Sequence, residues 1–399
     1  MGERFVYLDH AATTPTDPRV VAAMLPYFGE CFGNPSSIYR LGRLSLEAID
    51  TARSTVAGIL NCNPKEIVFT GGGSEADNLA IKGAAIAQRD RGRGNHIVTC
   101  AIEHSAVLHA CDYLQSIGFE ITILPVTPEG LVDPEQFRDA LRAETVLATI
   151  MYANNEIGTI QPITELGAIC RERSILFHSD AVQAGGALPL DVRTLNVDLL
   201  SLTAHKFYGP KGTGALYVRH GTPLVPQING GGQERRRRAG TENVPGIVGF
   251  AEALRLAEEQ REAYVEHCRA LRDRLINGLL ERIPHTYLNG SRTQRLPNNA
   301  NILFEFVDGE SLLLLLDQQG FCASAGSACA AGSVEPSHVL TALGIEPERA
   351  LGSVRFTAGR PTTVEDVDHL LDVLPAMIER LRSVSPHFRR HMTEQTAVA

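Results

Sequence analysis

Short apolar runs alternate with longer segments of helical spacing through the first half of the chain: IVFT at 67–70, HIVTC at 96–100, EITIL at 120–124, VLATIM at 146–151, ILFHSD at 175–180 and DLLSL at 198–202. Strands buried on both faces lose the polar alternation of a half-exposed sheet, and the helices between them cover those faces. The pattern therefore predicts an α/β fold with a mostly parallel sheet between helical layers. After Asn243 the texture changes. A charged, helix-prone stretch from about Val244 to Arg282 leads to ANILFEF, a Leu-rich segment, SVRFTAG and a terminal helix over about 363–382. This part reads as one connecting helix followed by a smaller α+β domain.

Composition narrows the function classes. A chain of 399 residues with 44% hydrophobic content has room for two or three domains and a large core. Its formal charge of -9 argues against general binding to nucleic acid or an anionic membrane, both of which want a basic field. Eight cysteines are scattered singly with no CxxC pair, so neither a disulfide framework nor a zinc ribbon is indicated, and a reducing cytoplasm fits best. The longest leucine run, Leu312 to Leu316, is far too short to span a bilayer.

Lysine is rare here: there are four, against an arginine-rich background. One apolar run ends in Asp180, within FHSDAVQ, and a second ends in SLTAHK at Lys206. A guanidinium stays protonated and forms no imine, whereas a desolvated lysine can lose its proton and attack a carbonyl. A lysine of this kind, with an aspartate to hold a pyridinium nitrogen, is what pyridoxal phosphate demands of a protein. A solvated surface lysine is the competing reading. The loop Gly71-Gly72-Gly73-Ser74-Glu75-Ala76 follows IVFT and opens a helix, where backbone amides and the Ser74 hydroxyl can cradle a phosphate. Read as GxGxxA, it also satisfies a dinucleotide fingerprint, and a tight turn with a capping serine explains it equally. Thr203 and His205, beside Lys206, add weight to the phosphate reading. GPKGTG at 209–214 is no Walker A motif, because its lysine lacks the following Ser or Thr.

Other clusters suit the same chemistry. His104 follows a strand end, where an imidazole can stack on an aromatic cofactor or act as acid or base, or serve as a buried structural group. Asn154-Asn155-Glu156 falls at the C-terminal edge of the sheet, where ligands bind in open α/β folds; a plain turn is the alternative. Arg355 sits inside a β-like run and wants a carboxylate, from the protein or from a substrate. Arg235 to Arg238 reads by default as a solvated face. Cys329 lies in ASAGSACAAGS (323–333), where little side-chain bulk pins the chain. Cys322, in GFCAS, reads as a packed thiol on a short strand; Cys31, Cys62, Cys100, Cys111, Cys170 and Cys268 read as buried and inert.

In order and spacing, YLDHAATTP, FGNPSS, GGGSEADN, EHSAVL, NNEIGTIQPI, HSDAVQ, HKFYGPKG, GGGQERRRRAGTEN, GSACAAGSVEPSHVL and SVRFTAGR resemble the cysteine desulfurases of the NifS/IscS type, class V of the pyridoxal-phosphate enzymes of fold type I. The resemblance covers nearly the whole chain. It implies a large cofactor domain with a seven-stranded sheet over 16–255, a small α+β domain from 1–15 and 256–399 carrying a cysteine loop at about 322–336, and a cytoplasmic homodimer. The implied reaction turns L-cysteine into L-alanine and leaves sulfur on an enzyme cysteine, for an acceptor such as an iron-sulfur scaffold. Lys206 would carry the cofactor as an imine, Asp180 pair with its ring nitrogen, Gln183 contact its phenolic oxygen and His104 stack on the ring. Gly73, Ser74, Thr203 and His205 would hold the phosphate, with Thr241 from a second subunit. Asn155 and Arg355 would bind the substrate carboxylate, with Asn34 nearby. Cys329 would take the sulfur and could ligate a transferred iron-sulfur cluster; no resident metal is implied.

Departures from the family pattern are few. Ser74 stands where threonine is common, and Thr203 where serine or cysteine is common. Arg236 takes a usual glycine position, Ala325 replaces a serine and Ala330 a threonine. The long cysteine loop ending in EPSHVL is similar to the NifS/IscS branch rather than to the branch with selenocysteine lyases. A selenocysteine lyase or another class V enzyme, a dinucleotide oxidoreductase and a sulfur-relay scaffold without its own chemistry are the alternatives.

Overall fold

The computed structural model describes residues 5–325 and 336–390. Its strands are β1 (Val6–Tyr7), β2 (Ile67–Thr70), β3 (His96–Cys100), β4 (Glu120–Leu124), β5 (Thr145–Thr149), β6 (Leu176–Asp180), β7 (Leu199–Thr203), β8 (Gly214–Val218), β9 (Thr286–Leu288), β10 (Asn299–Phe304), β11 (Phe321–Cys322) and β12 (Ser353–Thr357). Seven of them form one sheet in the order β2-β8-β7-β6-β5-β3-β4. All run parallel except β8, which is antiparallel to both its neighbours. The apolar runs predicted six of the seven. β8 escapes that pattern because residues 204–213, which join it to β7, contain no α-helix and so give no change of period.

Apolar side chains fill both faces of this sheet. Phe69, Phe137, Phe177, Phe207 and Phe250 belong to one core, and Leu79, Ile97, Leu147, Leu199 and Leu216 to the other. Each such fully buried side chain stabilises the fold by about 1.5–3 kcal/mol before chain entropy is counted. The helix Gly73–Asp90 covers the second face, burying Ala76, Leu79, Ala80, Gly83 and Ala84 at the spacing of one helical stripe. A separate core gathers Val6, Leu8, Leu271, Leu275, Phe304, Phe356 and Leu370 around the antiparallel sheet β12-β10-β9 and the parallel pair β1-β11. The N-terminal strand thus joins elements more than three hundred residues away.

The single connecting helix expected from Val244 to Arg282 is two, Val244–Glu259 and Arg261–Arg282. Gln260 breaks them with φ -101° and ψ 3°. Leu254 of the first helix lies in the sheet core, whereas Leu271 and Leu275 of the second lie in the separate core. A straight helix presents one continuous stripe, so serving two cores in different directions requires the break.

Candidate active site

Parallel strands deliver their C-terminal ends to one edge of a sheet, and the residues that follow them meet there. Asp180 ends β6 and Thr203 ends β7; His205 and Lys206 occupy the turn Ala204–Lys206 that follows. His104 caps the helix Ser105–Ser116, with its Nδ1 accepting the Ala106 amide at 3.1 Å, so in the neutral ring the proton sits on Nε2. Its structural and chemical readings hold together, since a capping imidazole is also an oriented one. Asn154 is wholly buried and folds the turn, accepting the Glu156 and Ile157 amides at 2.8 and 2.9 Å. That leaves Asn155 to present its carbonyl to Arg355 Nη1 at 2.9 Å.

The N-terminal segment from Asp9 to Thr14 crosses this edge as a strap, a role that sequence reasoning missed. Lys206 Nζ donates to the Ala11 and Ala12 carbonyls at 2.6 and 2.8 Å, and Gln183 Nε2 donates to the same Ala11 carbonyl at 3.0 Å. His205 Nδ1 lies 3.1 Å from Thr13 Oγ1, and the His205 carbonyl accepts the Thr14 amide at 2.9 Å. Its far side is fastened to β12: Thr357 N donates to Leu8 O at 2.7 Å and Ala11 N to Thr357 Oγ1 at 2.9 Å. The run HAATT after an apolar strand was the available signal, but what it offers Lys206 and Gln183 are main-chain carbonyls, which no residue type announces.

Asp180 ends a buried polar seam. Its Oδ1 accepts the Val182 amide at 2.8 Å, and the carboxyl is 6% exposed. Burial pushes it above the usual carboxylate range, while His104, the Val182 amide and Lys206 pull it back toward ionisation. Behind it, His178 lies between Thr149 Oγ1 at 2.8 Å and Ser201 Oγ at 3.0 Å, and burial depresses its imidazole to about 3, so the ring is neutral. Asp77, from the covering helix, reaches within 3.7 Å of His178 Nε2, and its Oδ1 has no hydrogen-bond partner among the described residues. Burial, then the neighbouring Asp180, raise the Asp77 carboxyl well above its usual value. Glu103 accepts the Met151 amide at 2.7 Å, and its buried carboxyl is pushed up to about 8.

At the start of the helix Gly73–Asp90, a Cβ on Gly73 would lie 2.7 Å from Val182 Cγ2, so glycine lets this helix N-terminus sit close against the residue pair that follows Asp180. Ser74 in the first turn is exposed, and the helix dipole favours an anion there. Glu75 accepts the Gly71 amide at 2.8 Å and pairs with Arg238 at 2.9 Å. The four arginines therefore do not form one solvated face: Arg235 and Arg236 are exposed, while Arg238 braces the phosphate-side helix.

Arg236 explains why glycine is usual at its position. Its φ is 65°, and Glu234 and Arg235 before it have φ of 43° and 56°, all in the left-handed region. Glu234 holds this run in place by a buried pair with Arg53 at 2.7 and 2.8 Å. Replacing Arg236 with glycine is expected to stabilise the protein by about 0.5–1 kcal/mol, because the left-handed penalty is partly offset by the freedom glycine adds to the unfolded chain. A higher denaturant midpoint at unchanged slope checks it; a lower midpoint refutes it.

Two expected site residues are not joined to this cluster. Asn34 caps its own turn, accepting the Ser36 amide at 2.9 Å, and is exposed. Thr241 is exposed in the loop before Asn243. Cys329, with Ala330, lies outside the described residues. Cys322 is half-buried in β11, and burial, then Asp317 and Asp9, push its thiol up. Cys31 and Cys62, expected to be buried, are half-buried; Cys100, Cys111, Cys170 and Cys268 are buried.

A buried carboxyl at the floor, a lysine and an amide side chain meeting on one carbonyl, and a glycine-narrowed helix N-terminus form a donor set that fits pyridoxal phosphate: a carboxyl to face the ring nitrogen, an amine and an anion cradle in one cleft.

Comparison with known proteins agrees with this donor set. The class-V aminotransferase family profile matches residues 6–370. A cysteine desulfurase IscS of Methanosarcina thermophila is 56% identical over 381 residues, covering 96% of this chain and 94% of that one. One from Dictyoglomus turgidum is 52% identical over 385 residues, covering 96% and 97%. A solved NifS-like protein superposes with a TM-score of 0.88 at 36% identity, over 94% of this chain and all of that one.

Proposed function

The chain belongs to the class-V aminotransferase family, among its cysteine desulfurases of the NifS/IscS type, and from that premise we propose how its own residues divide the work. The protein is a pyridoxal-phosphate-dependent cysteine desulfurase that converts L-cysteine to L-alanine and passes the sulfur to an enzyme cysteine. A selenocysteine lyase or other class V activity is not favoured, and the dinucleotide reading of the Gly71 loop falls with the family. The observation that carries the assignment of roles is the convergence of Lys206 and Gln183 on the Ala11 carbonyl beside a buried Asp180 that His104 and Lys206 draw toward its charged form.

Lys206 would hold the cofactor, with Asp180 to face its ring nitrogen, Gln183 its phenolic oxygen and His104 its ring. Gly73, Ser74, Thr203 and His205 take the phosphate. Burial, with Lys206 and Lys211, depresses His205 to about 4, so it serves as a neutral hydrogen-bond partner. When bound, pyridoxal phosphate supplies an electron sink for the substrate's α-carbon. Arg355 and Asn155 orient the carboxylate of L-cysteine; Lys206 Nζ takes the α-proton, and His104 serves as a further acid or base. The Cys329 thiolate attacks the substrate sulfur: the Cβ–S bond breaks, an S–S bond forms on Cys329, and alanine leaves after protonation of its carbon. Formation of one alanine per sulfur transferred, on protein whose visible absorption disappears when the cofactor is removed, tests the reading.

The division into a large domain over 16–255 and a small one from 1–15 and 256–399 is supported by the separate core that unites Val6 and Leu8 with Leu271 and Phe356. A homodimer is supported by Leu25, Phe28, Phe32, Ile38 and Tyr39, which are 57–90% exposed within one short stretch. We place the protein in the cytoplasm, supported by the seven free cysteines among the described residues, with an iron-sulfur scaffold or other thiolation protein as sulfur acceptor. Among the described residues no helix is long and apolar enough to cross a membrane.

If Thr241 completes the neighbouring subunit's site, mixing inactive Lys206→Ala and Thr241→Val chains restores activity. One of the two sites in each heterodimer then holds wild-type residues from both subunits, giving up to about half the wild-type rate per heterodimer. Light scattering that finds a fully active monomer refutes the shared site.

A further inference from the structure

Arg355 reaches the strap as well as the substrate side of the cleft. Its side chain is 2% exposed, and its main chain is pinned in both directions to Ser324, with N to O at 2.7 Å and O to N at 3.2 Å. Nη1 donates to the Asn155 carbonyl at 2.9 Å and Nη2 to Asp9 Oδ1 at 2.8 Å; Nε is buried with no hydrogen-bond partner among the described residues. The guanidinium is thus fixed on two sides with its Nε donor unspent, and its charge already faces a carboxylate. A second carboxylate arriving at this arginine meets a pair that is neutral overall, and it feels the repulsion of Asp9 as well as the attraction of Arg355.

We infer that Asp9 is the positioning residue that sets how tightly this site holds amino-acid carboxylates: it fixes the Arg355 fork and offsets its charge, so that the product alanine is released rather than trapped. The inference rests on the reading of Arg355 as the carboxylate holder. Asp9 suits the part because the strap carries it. Its main chain bridges Thr357 on the same strand as Arg355, and its side chain, 18% exposed, pairs with the Arg355 guanidinium at 2.8 Å.

The test uses the cofactor-loaded enzyme and L-alanine. Asp9→Asn keeps the shape and one acceptor but removes the charge. It removes the one carboxylate paired directly with Arg355 among the described residues and leaves only the more distant Glu156, so the ligand-free variant melts below wild type. L-alanine then restores more stability than it gives wild type and binds about tenfold tighter, and KM for L-cysteine falls by a similar factor without a rise in kcat. Asp9→Glu, which keeps the charge, returns affinity toward wild type. Equal or weaker alanine binding in Asp9→Asn overturns the inference; if that variant does not fold, Asp9→Ser is held to the same criterion. Arg355→Lys separates the two readings. If it leaves alanine affinity intact, Arg355 is not the carboxylate holder and the inference falls with it. If it abolishes affinity while Asp9→Asn brings no tightening, only the role of Asp9 is lost.

Discussion

Replacing Lys206 with alanine is expected to lower alanine production by roughly a thousandfold or more, because both the covalent hold on the cofactor and the base for the α-proton are lost with one amine. Arginine separates charge from chemistry. Lys206→Arg keeps a cation that can donate to the Ala11 and Ala12 carbonyls, now held at 2.6 and 2.8 Å, so it should stay close to wild type in stability. Its guanidinium remains protonated and makes no covalent link, so its activity should be as low as that of the alanine variant. Borohydride reduction of the wild-type enzyme followed by peptide mapping should place the pyridoxyl group on Lys206. A label on Lys82 or Lys211, or arginine retaining more than about a tenth of the rate, would contradict the assignment.

The second large effect concerns the thiol that carries sulfur. Cys329→Ser should abolish sulfur transfer while still binding L-cysteine, with a loss of roughly a thousandfold or more, since a serine hydroxyl is not a nucleophile toward sulfur at neutral pH. Cys322→Ser should keep most of the turnover. Cys322 is tied into β11 opposite Tyr7, and burial together with Asp317 and Asp9 holds its thiol protonated, so it lacks both the freedom and the charge to attack. Mass spectrometry after incubation with L-cysteine decides between them: an added sulfur atom on Cys322 and none on Cys329 would refute the assignment.

Fold class was legible in the chain because a buried parallel sheet writes itself locally, as apolar runs separated by helical periods. Most of the chemistry was legible too, because Lys206, Asp180, His104 and Arg355 are residue types whose placement beside apolar runs is costly unless they are used. β8 was not, because a strand joined to its neighbour without a helix produces no change of period. Nor was the break at Gln260, which exists to aim two helix stripes at two cores.

What the sequence determined by itself is the set of reactive groups and the sheet edge to which they are delivered, since both follow from residue type and from the order of strand and helix. Only the tertiary structure decided who partners them. Asp9, Ala11 and Ala12 act on Arg355 and Lys206 across separations of 346, 195 and 194 residues, and two of the three act through main-chain carbonyls. The Asp77 carboxyl is raised by its enclosure and by Asp180, not by any neighbour in the chain. Such contacts depend on packing that brings remote backbone together and removes water from between charges, and neither effect leaves a local pattern to read.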